Sequence, residues 1–304
     1  MAAIARNRTA RALAAILAAG MLAGAQPLFA APAHRHRPRP APTPAALPAN
    51  VKARLHEYAP GPIPFHDGEQ LVFRASWVGI PVAQVRFTLH KKAVARAGDP
   101  PGGDPAQWIA QAWVQTNPFA DLFFKMRDYV RESIAAGTLR TGGVHIVQHE
   151  NSRFDIYDVK IDRARDLVIA AKKNHKRTVT KEFISADPWG PLSGAMMALT
   201  QPLAAGKSYL FDVFTGGQRY VFAFNVERRE QIATPLGDFA AWRIVPQVVY
   251  MSDGKLRSEA RGTTLWVSAD QRHLPLRIES DAFIGTVRAD LISVDGHGIA
   301  DSPQ

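Results

Sequence analysis

Apolar and polar residues alternate with period two through most of this chain, and few architectures can absorb that pattern so many times over. Ala83, Val85, Phe87 and Leu89 fall on one face, with Gln84, Arg86, Thr88 and His90 on the other. Tyr220, Phe222, Phe224 and Val226 alternate in the same way with Val221, Ala223, Asn225 and Glu227. Further strands are expected at Trp242–Tyr250, Arg257–Val267, Leu274–Ser280 and Gly285–Val294. One buried and one wet face is the mark of antiparallel sheet. Turn chemistry agrees: Asp253-Gly254, Gly216-Gly217 and Gly142-Gly143 are hairpin signals, and Thr234-Pro235-Leu236-Gly237 suits a type I turn. Roughly ten to thirteen strands follow from these rules, too many for an open flat sheet. The expected class is all-β, a single antiparallel β-barrel or wrapped half-barrel over residues 51–295, with a tail at 296–304.

Two segments break the alternation. Pro118 to Met126 follows Asn117, an N-cap residue, and places Pro at the first helical position. Leu192 to Leu199 precedes Pro202 and could start at Ser193. Each suits a helix of two to three turns. Short apolar helices in such a protein are expected to act as lids over an open end of the sheet.

The N-terminus supplies an address. Arg6, Arg8 and Arg11 precede an Ala/Leu-rich run from Ala12 to Ala25, and small residues offer cleavage after Ala30 or after Ala33. That is the form of a secretory signal peptide over residues 1–30. No Cys follows it to carry a lipid anchor. Arg35, Arg37 and Arg39 just beyond the exit oppose export, so an uncleaved signal anchor is the competing reading. Residues 31–50 are rich in Pro and Arg, a disordered, polyproline-like spacer without a core. The chain carries a formal charge of +10. Much of that excess lies in the signal and spacer, and an exported, mildly basic domain points to anionic envelope surfaces instead of nucleic acid. The periplasm is the expected location. The absence of cysteine excludes disulfides, zinc–thiolate sites and thiol catalysis.

Catalytic motifs are sparse. His145 and His149 share a face of an expected strand, but four residues there span about 13 Å, too far for one metal ion. His34 and His36 lie in the spacer, where metal binding would be weak. Ser268, Asp270 and His273 crowd a turn and cannot fold back into a triad. No Gly-Xaa-Ser-Xaa-Gly elbow and no phosphate loop occurs. No enzyme, cofactor or metal is expected.

Two groups of residues are candidate contacts. Trp77, Phe87, Phe123, Phe124, Met196, Met197, Phe222, Phe224, Trp242 and Trp266 could line an apolar cavity or its lids, or be ordinary core. Lys172, Lys173, Lys176 and Arg177 flank Asn174 and could form a basic finger for acidic lipid headgroups, or a plain solvated hairpin tip. The leading expectation is a non-enzymatic periplasmic barrel that binds an apolar or amphiphilic, lipid-like ligand. The alternative is a structural or interaction protein of the envelope contacting lipopolysaccharide, peptidoglycan or a protein partner.

Phe65-His66-Asp67-Gly68-Glu69-Gln70-Leu71-Val72-Phe73, followed by Trp77-Val78-Gly79-Ile80, resembles the opening of the bacterial DUF3108 family. An Asp-Pro-x-x-x-Leu-Ser stretch from Asp187, a Thr-Pro-x-Gly-x-Phe turn from Thr234 and a Trp-x-Ser-x-Asp-x-x-x-x-Pro hairpin from Trp266 follow in the family's order. A Gly-x-Val strand from Gly285 closes the pattern. Ala83 departs from a frequent Gly, and Phe73 from the usual Tyr. The resemblance, over about residues 62–295, implies an exported all-β envelope protein similar in build to the open barrels of periplasmic lipoprotein carriers. It carries over no catalytic residue. Glu69 has no turn reason and is expected to cap a backbone or pair with an Arg such as Arg277.

Overall fold

The structure, a computed structural model, describes residues 49–53, 55, 57–93, 106–215, 219–252, 255–259, 262–282, 285–295 and 297–298. The signal peptide, nearly all of the spacer with His34 and His36, the Gly216-Gly217 and Asp253-Gly254 turns, and most of the tail lie outside the described residues. A short helix α1 (Ala49–Lys52) precedes β1 (Glu69–Trp77), β2 (Ile80–Ala93) and β3 (Ala106–Thr116). Then come α2 (Pro118–Asp121), β4 (Arg127–Ala135), β5 (Thr141–Glu150), β6 (Arg153–Asp162), β7 (Leu167–Asn174), β8 (Thr178–Ile184), β9 (Pro188–Trp189) and α3 (Pro191–Thr200). The remainder is β10 (Ser208–Phe214), β11 (Arg219–Thr234), β12 (Gly237–Ser252), β13 (Lys255–Glu259), β14 (Thr263–Ser268), β15 (Pro275–Ala282), β16 (Gly285–Val294) and β17 (His297–Gly298).

These strands form one sheet. From edge to edge it runs β8, β7, β6, β5, β4, β3, β2, β1, β16, β15, β14, β12, β11, β10, β9. Only the two-residue β9–β10 pairing among these is parallel. The sheet is rolled, because its two ends meet: Phe183 of β8 packs on Phe214 of β10 with ring centroids 5.4 Å apart, and Ser185 Oγ donates to Asp212 at 2.6 Å. Among the described residues no ladder joins β8 to β10, so the roll is wrapped but not closed. The all-β wrapped barrel expected from the alternation is therefore the observed fold. The seventeen strands among the described residues exceed the expected number. Polar strands such as β8, almost wholly exposed, carry no clean alternation, and the Arg257–Val267 stretch divides into β13 and β14.

The turns deliver one correction. Gly142 and Gly143 lie inside β5, and the chain reverses earlier, where Ala135 N–H donates to Arg140 O. A Cβ on Gly142 would come within 2.9 Å of Ser133 Oγ, beside a register shift at Ser133/Ile134. The glycine pair serves a close strand approach instead of a turn. Beside Ala83 the β1–β2 register slips between Ala75 and Ser76, a bulge formed with Ala in place of Gly.

Core packing places α3 inside the roll. Leu192, Met196, Met197 and Ala198 are buried with Val130 and Ile134 of β4, Phe211 and Val213 of β10, and Phe222 and Phe224 of β11. A helix N-terminus inside a core leaves amide donors that must be satisfied. Glu132, fully buried on β4, accepts from Leu192 N–H at 2.9 Å and from Ser193 N–H at 3.2 Å. Thr141 Oγ1 also donates to Glu132, at 3.0 Å, and Gly190 N–H donates to Thr141 Oγ1 at 2.7 Å. Any side chain at position 190 would collide with Glu132, since a Cβ there falls 2.3 Å from its Oε1. The Asp187–Ser193 motif thus reads as a helix start fitted around a buried carboxylate. The helix begins at Pro191, two residues before Ser193, and fills the interior rather than covering its mouth.

A second core joins Phe73 and Ala75 of β1, Val82 and Val85 of β2, Leu276 of β15 and Leu291 of β16 to Phe124 and Met126 beneath α2. Here the helix differs from expectation. Only Pro118–Asp121 is helical, a single turn capped by Asn117, whose Oδ1 accepts from Ala120 N–H at 2.9 Å. Its continuation is cut short because Met126 bridges to Glu150 and Arg127 begins β4.

Candidate functional site: one rim of the rolled sheet

Strands β1 to β8 run alternately up and down, so the β1–β2, β3–β4, β5–β6 and β7–β8 connections emerge at one end. They form a linked rim. Asn117 N–H donates to Val82 O at 2.9 Å and its Nδ2 to Pro81 O at 2.8 Å, tying α2 to the start of β2. Lys125 N–H donates to Asn151 Oδ1 at 2.9 Å, and Asn151 N–H returns to Lys125 O at 2.8 Å. Phe154 then packs edge-on against His149 and tilted against His175, with centroids 5.7 and 5.5 Å away.

One part of this rim is apolar and exposed. Val78, Leu122 and Phe123 are 74 %, 78 % and 77 % exposed, and Ile80 and Phe119 are 47 % and 45 % exposed. Phe119 and Phe123 pack edge-to-face at 5.8 Å. Phe124 and Ala120, buried beneath them, anchor the segment to the second core. Val78 stands in the left-handed region at φ 50, followed by Gly79 at φ 80. Two positive φ values make the tight turn of a two-residue hairpin, which favours Asn-Gly. A β-branched residue in that region is a genuine outlier.

The other part is basic. Asn174 Oδ1 accepts from Lys176 N–H at 2.9 Å and from Arg177 N–H at 3.0 Å, shaping the finger. Lys125, Lys173, Lys176 and Arg177 are exposed and have no ion pair among the described residues. The acids of the rim are neutralised locally. Arg127 Nη2 lies 2.6 Å from Asp121 Oδ2, and that contact holds the Asp121 carboxyl below the usual carboxylate range. Glu150 lies 3.7 Å from Arg153. Just beneath, Asp128 is buried on β4 and accepts from His149 N–H at 2.9 Å. Burial first, then the neighbouring Glu150, raises its carboxyl to about 7.

The expected contact residues are distributed unevenly. Met196, Met197, Phe222 and Phe224 join the first core, and Phe124 and Trp266 the second. Trp77, Phe87 and Trp242 are half-buried against these cores. Phe123 faces solvent on the rim instead of a lumen. A pocket of about 260 Å³ lies at the seam of the roll, bounded by Leu55, Ile184, Trp189, Leu210, Asp212 and Arg219 among others, and none of the ten apolar candidates lines it. Lys172 is set apart from the basic finger: its Nζ lies 3.0 Å from the buried Asp155 and over the Tyr157 ring. Lys173, Lys176 and Arg177 stay on the surface.

The other motifs resolve structurally. His145 Nδ1 lies 2.8 Å from Asp158 Oδ1, and His149 packs on Phe154. Ser268 Oγ donates to Asp270 at 2.6 Å, while His273 Nδ1 contacts Leu199 O at the end of α3. Glu69 is buried and accepts from His66 N–H, and Arg277 pairs with Asp290 instead. Val78, Ile80, Phe119, Leu122 and Lys125 were not among the candidate residues. The signal was present in two places: a Val ahead of Gly in a two-residue turn, and Leu122-Phe123-Phe124, three bulky residues in a row that one helix face cannot bury together.

The chain belongs to a family of proteins of unknown function, DUF3108, whose model matches residues 72–292. No curated protein matches it. Among solved structures, the β-barrel-like DUF1849 protein from Brucella abortus is 10 % identical, covers 78 % of this chain and 99 % of its own, and superposes with a TM-score of 0.47. A candidate exported protein with a YmcC-like fold from Bacteroides fragilis (11 % identity, 78 % and 98 % coverage) gives 0.29. A candidate lipoprotein from Parabacteroides distasonis (11 %, 78 % and 99 %) gives 0.31. Among the described residues no helix is long and apolar enough to cross a membrane.

Proposed function

We propose that this protein is an exported, non-enzymatic component of the cell envelope that docks on the surface of an anionic phospholipid bilayer through this rim. The supporting observation is the pairing on one rim of five exposed apolar side chains, Val78, Ile80, Phe119, Leu122 and Phe123, with the exposed cations Lys125, Lys173, Lys176 and Arg177, which have no ion pair among the described residues. Aromatic and aliphatic tips enter the headgroup boundary, and nearby bases meet lipid phosphates; each base contributes about 1 kcal/mol near an anionic leaflet. The signal-peptide pattern at residues 1–30 supports the periplasmic address.

Vesicle flotation tests this with protein purified after export. Binding is expected to phosphatidylglycerol-containing vesicles, weakly or not at all to pure phosphatidylcholine, and to weaken as salt rises. The variant K173E/K176E/R177E should bind about a hundredfold less tightly. L122D/F123D should abolish flotation while leaving the melting temperature unchanged. Equal binding of all three proteins to both vesicles, or none by the parent, overturns the reading. A second reading, an amphiphile held by the barrel, is favoured by the seam pocket of about 260 Å³, whose apolar wall of Leu55, Ile184 and Leu210 faces the Asp212–Arg219 ion pair. Lipid extraction of the purified protein tests that reading separately.

A further inference from the structure

The outer wall of the roll carries a stripe that the two cores do not use. Ala112, Val130, Ile146 and Tyr157 turn inward and are buried, so their chain neighbours Trp113, Tyr129, Val147 and Ile156 turn outward. Register sets these four side by side across β3 to β6, with Arg86 of β2 opposite Trp113 at one end. The row crosses five strands, about 19 Å. Trp113 and Tyr129 stand with ring centroids 5.3 Å apart and their planes 39° from one another. All four are half-buried and lie flush with the sheet, whereas Leu122 and Phe123 project from the rim. Such a wall offers no tip to a bilayer.

Polar side chains border the stripe. The next row is Gln111, Arg131, His145 and Asp158. Gln111 Nε2 donates to the Tyr129 hydroxyl at 2.7 Å, which leaves the phenol its own O–H to donate outward. On the rim side lie Gln115 and Arg127. Asp158, the acid beside the stripe, is held by His145 Nδ1 at 2.8 Å. Arg86, Arg131 and Lys160 are exposed and have no ion pair among the described residues. The wall is therefore cationic along an apolar line.

The width of that line selects the class of partner. A protein interface buries an apolar core within a polar rim, and its core is a patch instead of a file. Here the apolar line is one side chain wide, with hydrogen-bonding groups on both sides. A linear chain of pyranose rings has the matching cross-section. Its C–H faces lie on aromatic and aliphatic side chains, and its hydroxyl edges meet amides, a phenol and guanidiniums. Bases without an acid of their own call for an anionic chain, and the planar guanidinium fork matches a carboxylate.

We infer that the stripe from Arg86 to Ile156 binds a linear, carboxylate-bearing glycan, the chemistry of a cell-wall strand. Trp113 and Tyr129 carry the sugar rings, and Arg86 and Arg131 meet the carboxylates. The inference rests on the export address of the proposed function and on none of its rim residues.

Co-sedimentation of the exported protein with purified, lipid-free sacculi tests it. The parent should sediment with them, and less so as salt rises. W113A should bind about tenfold less tightly, and R86Q/R131Q by a similar factor. Both arginines are exposed and unpaired among the described residues, so R86Q/R131Q keeps the fold whatever W113A costs in stability. Sacculi whose carboxylates have been amidated should retain little of the parent. No sedimentation by the parent overturns the inference, as does parent-like binding by either variant or by the amidated sacculi. Sedimentation only with sacculi that still carry bound protein would mark a protein partner and overturn it too. No lipid enters this assay, so its failure is distinguishable from failure of vesicle flotation.

Discussion

The two short helices, α2 and α3, look alike in sequence and end in opposite environments. Each begins with Pro at its first position, each is apolar, and each sits between strands. Helix α3 is taken into the core, and α2 is left on the rim with Phe119 exposed and Leu122 and Phe123 just beyond it. The difference lies in who satisfies the first amides. The N-terminus of α3 is capped by the sheet, through Glu132 of β4, and Gly190 removes the side chain that would block that carboxylate. The N-terminus of α2 is capped by its own Asn117, and so needs no burial. A short apolar helix enters a sheet only when the sheet provides its polar partner. Where it does not, the exposed apolar face is available to something outside the chain.

The largest test of that contrast is E132A. It strips two helix amides and Thr141 of their acceptor inside the core, an unsatisfied cluster expected to cost about 3–5 kcal/mol in urea unfolding. G190A should follow in the same direction, because its Cβ cannot coexist with the carboxylate. A cost below about 1 kcal/mol for E132A would mean that α3 does not depend on the sheet for its cap.

The same strand carries a second comparison. Asp128 and Glu132 both face inward from β4, four residues apart. Glu132, with several donors around it, is held at about 6 by burial. Asp128, with one amide donor and Glu150 near, reaches about 7. In the unfolded chain such an Asp titrates near 3.8. The folded protein therefore retains a proton that the unfolded chain has released. That contribution is whole below about pH 4 and is lost as pH rises through 7, roughly 4 kcal/mol in all. Stability should fall from pH 4.5 to pH 8, with Glu132 adding to the fall at its acid end, and D128N, which keeps the acceptor for His149 N–H, should remove the part of the slope that extends through pH 7. An unchanged slope in D128N would place the proton elsewhere.

Smaller is N117A, which removes the α2 cap and the side-chain tie to Pro81 O but keeps the main-chain bond to Val82 O. A lost N-cap costs about 1 kcal/mol, well below the E132A effect. Equal costs at the two helices would erase the distinction between a self-capped turn and a sheet-capped helix.

These tests also mark what the sequence could reveal. Alternation, the Asn117-Pro118 cap and the presence of a helix near Ser193 were legible because each is a local rule, although that helix starts two residues earlier, at Pro191. The fate of the two helices was not, since it depends on Glu132, which is 58 residues before Gly190 in the chain and reaches it only through the roll of the sheet. The basic finger was legible as a run, but the separation of Lys172 from Lys173, Lys176 and Arg177 required knowing that Asp155 lies across the β6–β7 ladder. The exposed apolar rim was hidden by a reasonable assumption, that Phe123 and Phe124 share one fate. They point opposite ways, one into the second core and one into solvent.

The smallest effect is the most diagnostic. Val78 occupies a turn position suited to Asn, at φ 50, and exposes most of its surface. On stability alone V78N should help, by about 1 kcal/mol, because Asn tolerates the left-handed region and Val does not. If the rim enters a bilayer, the same change removes an apolar tip whose burial contributes about 1.5 kcal/mol, and phosphatidylglycerol vesicles should be bound about tenfold less tightly. A gain in melting temperature together with a loss of flotation is the joint outcome that only a surface-docking role gives. If V78N binds vesicles as well as the parent, the valine is merely a tolerated strain, and the difference between the exposed helix and the buried one is a matter of folding alone.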